Sequence, residues 1–121
     1  MRISTFAIIA LLLLLPAGPA LAHAQLIKAD PAVGSTVQHA PMRLWLKFNQ
    51  IIRPAASGIR LTAPDGMRTV LSPLSGDPAD PQAVTAPTPP NLTAGRYKVE
   101  WRALSVDGHH THGQFSFTVA Q

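Results

Sequence analysis

The chain has 121 residues, 46% of them hydrophobic and 13% charged, with ten Lys and Arg against six Asp and Glu and no cysteine. That length holds one small domain, and the absence of cysteine excludes disulfides as a supplement to its core. Arg43, Lys47, Arg60, Arg68, Arg96, Lys98 and Arg102 are scattered among apolar positions, which is the signature of solvated strand faces and argues against nucleic-acid binding.

The first residues read as an export signal. Met1-Arg2 supplies a positive start, Phe6 to Leu15 an apolar run, and Ala20-Leu21-Ala22 the small-x-small site for cleavage. The apolar run is shorter than the about 20 residues that a membrane span needs. Residues 1–22 are therefore expected to be a signal peptide, and 23–121 a mature domain that begins at His23. Without Arg2, nine basic residues face six acidic ones, a net charge of +3. An exported domain without disulfides suits the periplasm of a bacterium.

After His23 comes a short extended segment, Ala24 to Lys28, and then a turn marked by Pro31 and Gly34. Arg43 to Phe48 alternates, with Leu44, Leu46 and Phe48 on one face and Arg43, Trp45 and Lys47 on the other. Gly58 to Thr62 and Met67 to Leu71 flank Pro64-Asp65-Gly66 and read as a hairpin. The stretch 72–91 is dense in proline, which forbids helix and predicts a surface loop with one short strand, Gln82 to Ala86. Arg96 to Ala103 and Gln114 to Val119 complete the pattern, with Tyr97, Val99, Trp101, Ala103, Phe115, Phe117 and Val119 facing inward. The layout predicts an all-β fold, a seven-stranded Greek-key β-sandwich or barrel of the Ig-like or cupredoxin-like kind. Both tryptophans are expected to pack rather than to bind ligands.

The candidate chemistry lies at the two ends of the mature chain. Cleavage after Ala22 would give His23 a free α-amine beside its imidazole, two linked nitrogens that can chelate one ion with little further loss of entropy. Asp107-Gly108-His109 adds a carboxylate and an imidazole two residues apart, pointing the same way if the segment is extended, with Gly108 free to make a tight turn. Three nitrogens and one oxygen suit a tetragonal, borderline metal, and copper(II) leads the divalent first-row ions at such sites, with zinc its nearest competitor. Soft donors are scarce: there is no cysteine, and only Met42 and Met67 follow the signal. A copper(I) site and a blue-copper centre are therefore not expected. The bland alternative is that Asp107-Gly108 is a simple turn with solvated histidines beside it. His110, His112 and His39 are read as surface residues, with a second metal contact at His110 and His112 as the alternative.

At these positions the chain resembles the CopC family of bacterial periplasmic copper-binding proteins. The resemblance is carried by His23-Ala24-x-Leu26, Asp30-Pro31-Ala32-x-Gly34-Ser35, Ala40-Pro41, the strand ending at Phe48, Leu92-x-Ala94-Gly95-x-Tyr97-x-Val99-x-Trp101-Arg102, Ser105-x-Asp107-Gly108-His109, Gly113, and Phe115-x-Phe117-x-Val119. It implies a seven-stranded Greek-key β-barrel that binds copper(II) through His23, Asp107 and His109. It also implies a copper carrier or buffer in the periplasm, often beside a CopD-like inner-membrane protein. Two positions depart from the family pattern. The region that is Met-rich in some members keeps only Met67, and the Ser-Glu that many members carry after the Phe48 strand is Asn49-Gln50 here. The latter would alter what supports the ligands if that acid orients them.

Two other functional classes fit some of these residues. A polysaccharide-attacking copper monooxygenase also uses an N-terminal histidine, but it needs an open copper face and a broad platform, whereas Asp107 would fill a coordination position. A structural β-sandwich with incidental histidines is the second.

Overall fold

The computed structural model describes residues 24–121; the signal-peptide boundary at Ala22 and the ligand expected at His23 lie outside the described residues. Two sheets pack face to face. One holds β1 (Leu26–Asp30), β3 (Arg43–Phe48), β7 (Asp80–Pro87) and β6 (Ser75–Asp77) in the order β1-β3-β7-β6. The other holds β2 (Thr36–Val37), β9 (His110–Val119), β8 (Gly95–Leu104), β4 (Gly58–Thr62) and β5 (Arg68–Leu71) in the order β2-β9-β8-β4-β5. All pairings are antiparallel except the two-residue contact of β2 with β9. The seven expected strands are present, and the short β2 and β6 are added to them. The expected β4–β5 hairpin forms with Ile59 opposite Leu71 and Thr62 opposite Arg68.

The alternation seen in the sequence becomes the core. Leu44, Leu46 and Phe48 of β3 meet Tyr97, Val99, Trp101 and Ala103 of β8 and Phe115, Phe117 and Val119 of β9, all buried. Across the two sheets, Phe48 packs edge-on against Trp101 with ring centroids 5.0 Å apart. Within the second sheet Tyr97 stacks on Phe117 at 5.4 Å, and its hydroxyl donates to the Thr93 carbonyl at 2.7 Å, so the one polar atom of this buried ring is satisfied. Trp45 behaves differently from Trp101: it sits half-buried on the outer face and donates its indole N–H to Asp77 at 2.9 Å.

The stretch 72–91 is more than a surface loop. β7 runs for eight residues between β3 and β6, and Ala83, Val84 and Ala86 enter the core. Proline can stand in this strand because it sits where the ladder asks nothing of it. Pro81 precedes the first β3 rung, at Ala83, and lies beside the register shift with β6, while Pro87 occupies the last rung, opposite Arg43.

β8 and β9 form the backbone of the molecule, ten rungs from Gly95 opposite Val119 to Leu104 opposite His110. The pair at Trp101 and Gly113 shapes this hairpin. A Cβ on Gly113 would lie 2.5 Å from the Trp101 ring, so the glycine lets the indole lie across β9. The hairpin ends in the turn 105–109, which holds Asp107 and His109.

Candidate metal centre

Ser105 anchors the turn. It is fully buried, it bridges to Ile52, and its N–H donates to the His109 carbonyl at 3.0 Å, which closes the hairpin. The Gly108 N–H donates back to the Ser105 carbonyl at 3.0 Å, and Gly108 takes φ 91°, a left-handed conformation that a side chain would strain. Asp107 and His109 are therefore brought together by a tight turn rather than by an extended segment. The Ser105 hydroxyl donates to Asp107 Oδ1 in a short hydrogen bond. On the other carboxylate oxygen, Oδ2, His109 Nδ1 stands 3.1 Å away. Both side chains are nearly half exposed, 44% for Asp107 and 47% for His109, so the pair opens to solvent.

These contacts hold the Asp107 carboxyl below its ordinary value of 3.8. The Ser105 hydroxyl is the largest cause and the His109 imidazole the next, against a smaller opposing effect of desolvation. Asp107 is thus a carboxylate throughout the neutral range, which is the form a metal requires.

A segment after β3 straps this turn to the start of the domain. The Val106 N–H donates to the Ile51 carbonyl at 3.1 Å, the Arg53 N–H to the Leu104 carbonyl at 2.8 Å, and the Arg53 guanidinium to the Val106 carbonyl at 3.2 Å. Buried Ser57 adds its hydroxyl, which accepts from the Leu104 N–H at 3.0 Å and donates to the Arg53 carbonyl at 2.9 Å. At the other end of the same segment Asn49 clamps Gln25 twice. Its side-chain oxygen accepts from the Gln25 N–H at 2.8 Å, and its own N–H donates to the Gln25 carbonyl at 3.0 Å. Ala24, just before the clamp, is 2% exposed and belongs to the core. Residues 49–53 therefore grip both the first described residues and the Asp107 turn, and the chain enters the fold at a fixed place. Asn49, flagged in the sequence only as a departure, is a structural fastener; no local pattern announces a hydrogen bond to a residue 24 positions earlier.

Two of the remaining histidines, His110 and His112, line a hollow together with Ala24, Gln25 and Leu26. His110 and His112 are exposed on the outer face of β9, and His39 is exposed in the connection between β2 and β3. Among the described residues no set of three or more His, Cys, Asp or Glu side chains converges; Asp107 and His109 stand as a pair. Their spacing suits a shared ion. Donors about 2.0–2.2 Å from one metal are about 2.9 Å apart at a right angle and about 3.4 Å at a tetrahedral one. The observed 3.1 Å lies between.

Comparisons with known proteins bear on the domain as a whole. The CopC domain matches residues 26–120. The chain belongs to the CopC family. It is 38% identical over 104 residues to the copper resistance protein C of Pseudomonas syringae pv. tomato, covering 81% of each chain. It is 33% identical over 98 residues to protein YobA of Escherichia coli K12, covering 81% of this chain and 79% of that one. The crystal structure of CopC from Methylosinus trichosporium OB3b superposes with a TM-score of 0.74 at 31% identity, covering 81% of this chain and 94% of that one. The all-β two-sheet architecture is thus the CopC fold, and the Asp107 turn falls inside the matched domain.

Proposed function

We propose that this CopC-family protein binds copper(II) as cargo, through the α-amine and imidazole of His23 together with Asp107 and His109, and carries or buffers it in the periplasm after export. The observation that carries the reading is the Asp107–His109 pair, a carboxylate and an imidazole set 3.1 Å apart by a turn strapped to the segment that also fixes Gln25. The proposed donors bind the ion in their deprotonated forms, so binding weakens in acid. Copper(II) rather than copper(I) follows from the donors: nitrogen and oxygen dominate, while Met42 and Met67 are the two sulfur side chains of residues 24–121.

The protein acts as a carrier and not as an enzyme. Asp107 occupies a coordination position that an oxygen-activating copper would leave open, and the turn offers little surface for a polymeric substrate. A CopD-like inner-membrane protein is the acceptor proposed for the cargo.

Intact-mass measurement of the secreted protein, with and without one equivalent of copper(II), tests export and binding together. The reading expects a mass that begins at His23 and a gain of one copper. A chain that retains residues 1–22, or one that gains no copper, would overturn it.

A further inference from the structure

The positive charge of the described domain sits on one sheet face. Register places Arg60 and Arg68 of β4 and β5 and Arg96, Lys98 and Arg102 of β8 on the outer side of the five-stranded sheet, with Glu100 among them. That is five cations against one carboxylate. The other four cations of residues 24–121, Lys28, Arg43, Lys47 and Arg53, are outnumbered by five carboxylates. On the opposite sheet Lys47 is paired with Asp80 at 2.8 Å, so that side is closer to balance.

Glu100 is shared, with Lys98 at 2.8 Å and Arg60 at 3.5 Å. The side chains of Arg68, Arg96 and Arg102 have no hydrogen-bond or ion-pair partner among the described residues. The face is also indented. A cup of about 530 Å³ lies between Arg60, Glu100, Arg102, His112 and Gln114, with Glu100 held by Arg60 and Lys98 at its wall, and the Arg102 guanidinium reaches over Gly58, where a Cβ would stand 3.0 Å from it. The row of Arg102 and His112 is two residues from the rung that opens into the Asp107 turn.

We propose that this face docks an acidic segment of a partner protein, whose carboxylates enter the cup and pair with Arg60 and Arg102. Charge complementarity is the first support, and the cations are the second. Four of the five are arginines, whose planar forks hold carboxylates in two-point contacts. An anionic membrane is the poorer fit. Surfaces that bind bilayers insert aromatic or aliphatic side chains, and among the described residues Val70 is the one large exposed apolar side chain on this face. The inference rests on charge and shape and holds whether or not the Asp107 turn takes a metal.

The test is a ¹⁵N chemical-shift titration of the metal-free secreted protein with a deca-aspartate peptide at low salt. Shifts are expected at Arg60, Glu100, Arg102, His112 and Gln114, and binding is expected to weaken about tenfold or more between low and physiological salt, as screening shortens. Arg60→Glu with Arg102→Glu should abolish the shifts, while Lys28→Glu with Arg43→Glu on the opposite sheet should leave them. If the charge reversal does not fold, Arg60→Gln with Arg102→Gln should still weaken binding severalfold. Shifts spread over both sheets, or shifts that survive both Arg60/Arg102 variants, would overturn the proposal. So would binding to phosphatidylglycerol vesicles, dependent on Arg60 and Arg102, without any response to the peptide; that result would assign the face to a membrane surface.

Discussion

Gly113→Ala is a change of one methyl group that should unsettle both fold and site. The added Cβ would meet Trp101 at 2.5 Å from Cζ2, 2.8 Å from Cε2 and 3.0 Å from Nε1. Favourable carbon contacts lie at about 3.5–4.0 Å, so the ring or the strand must give by about 1 Å. The ring has little room to retreat, since it is 9% exposed and already meets Phe48 edge-on at 5.0 Å. β9 must then lean away from β8 near the rungs that end at Leu104 and His110, next to the Asp107 turn. Overpacking of this kind costs about 1–3 kcal/mol, which for a domain of this size lowers the melting temperature by about 5–20 °C. Thermal unfolding followed by circular dichroism and tryptophan fluorescence measures the loss. A smaller ring should relieve it: the double variant Gly113→Ala with Trp101→Leu should lose less than the sum of the two single changes. A melting temperature within 1 °C of the parent, or strictly additive losses, would show that the ring does not press on β9.

Three further outcomes are expected. Ser105→Ala should leave the protein folded but weaken copper(II) binding by about 10–100-fold in a competition titration, because Asp107 loses the donor that orients it. His109→Ala should damage copper(II) binding far more than His110→Ala or His112→Ala, whose side chains stand on the outer face of β9; equal losses would place the ligand elsewhere. The Asp77 carboxyl is held below its ordinary 3.8, chiefly by the Trp45 indole and then by the Ala79 N–H. A depressed carboxyl stabilises the fold above its ordinary value and loses that contribution as pH falls through its lower folded value. Asp77→Asn should therefore melt lower than the parent at neutral pH, and the gap should narrow below pH 3.8, as melting curves across pH would show.

What was legible in the chain was its local periodicity. Each strand with clean alternation, such as Leu44-x-Leu46-x-Phe48 and Phe115-x-Phe117-x-Val119, appears with those residues buried. β7 was underestimated because proline speaks loudly against strand, whereas its actual cost depends on which rungs need an N–H, and β3 and β6 decide that. Asp107 and His109 stand out in the sequence by residue type and spacing, and the structure sets them side by side, which is what makes them the proposed donors. The turn that joins them was foreshadowed only by Gly108, and the supports of the site, Ser105, Asn49 and Ser57, depend on contacts fixed by tertiary structure. The scattered cations do lie on solvated strand faces, as their spacing predicts, but which of them share a face is set by strand pairing. Cations scattered along the sequence, each reading as an ordinary solvated strand position, are gathered onto one face by the pairing of β4, β5 and β8.

The most direct measurement of the central claim compares copper(II) affinity in two proteins, one beginning at His23 and one carrying a single extra residue before it. The extra residue turns the amine into an amide and removes one arm of the chelate, while Asp107 and His109 remain in place. Binding should weaken by orders of magnitude, with a changed copper(II) electron paramagnetic resonance spectrum. Equal affinity and an unchanged spectrum would mean that the amine of His23 is not a ligand.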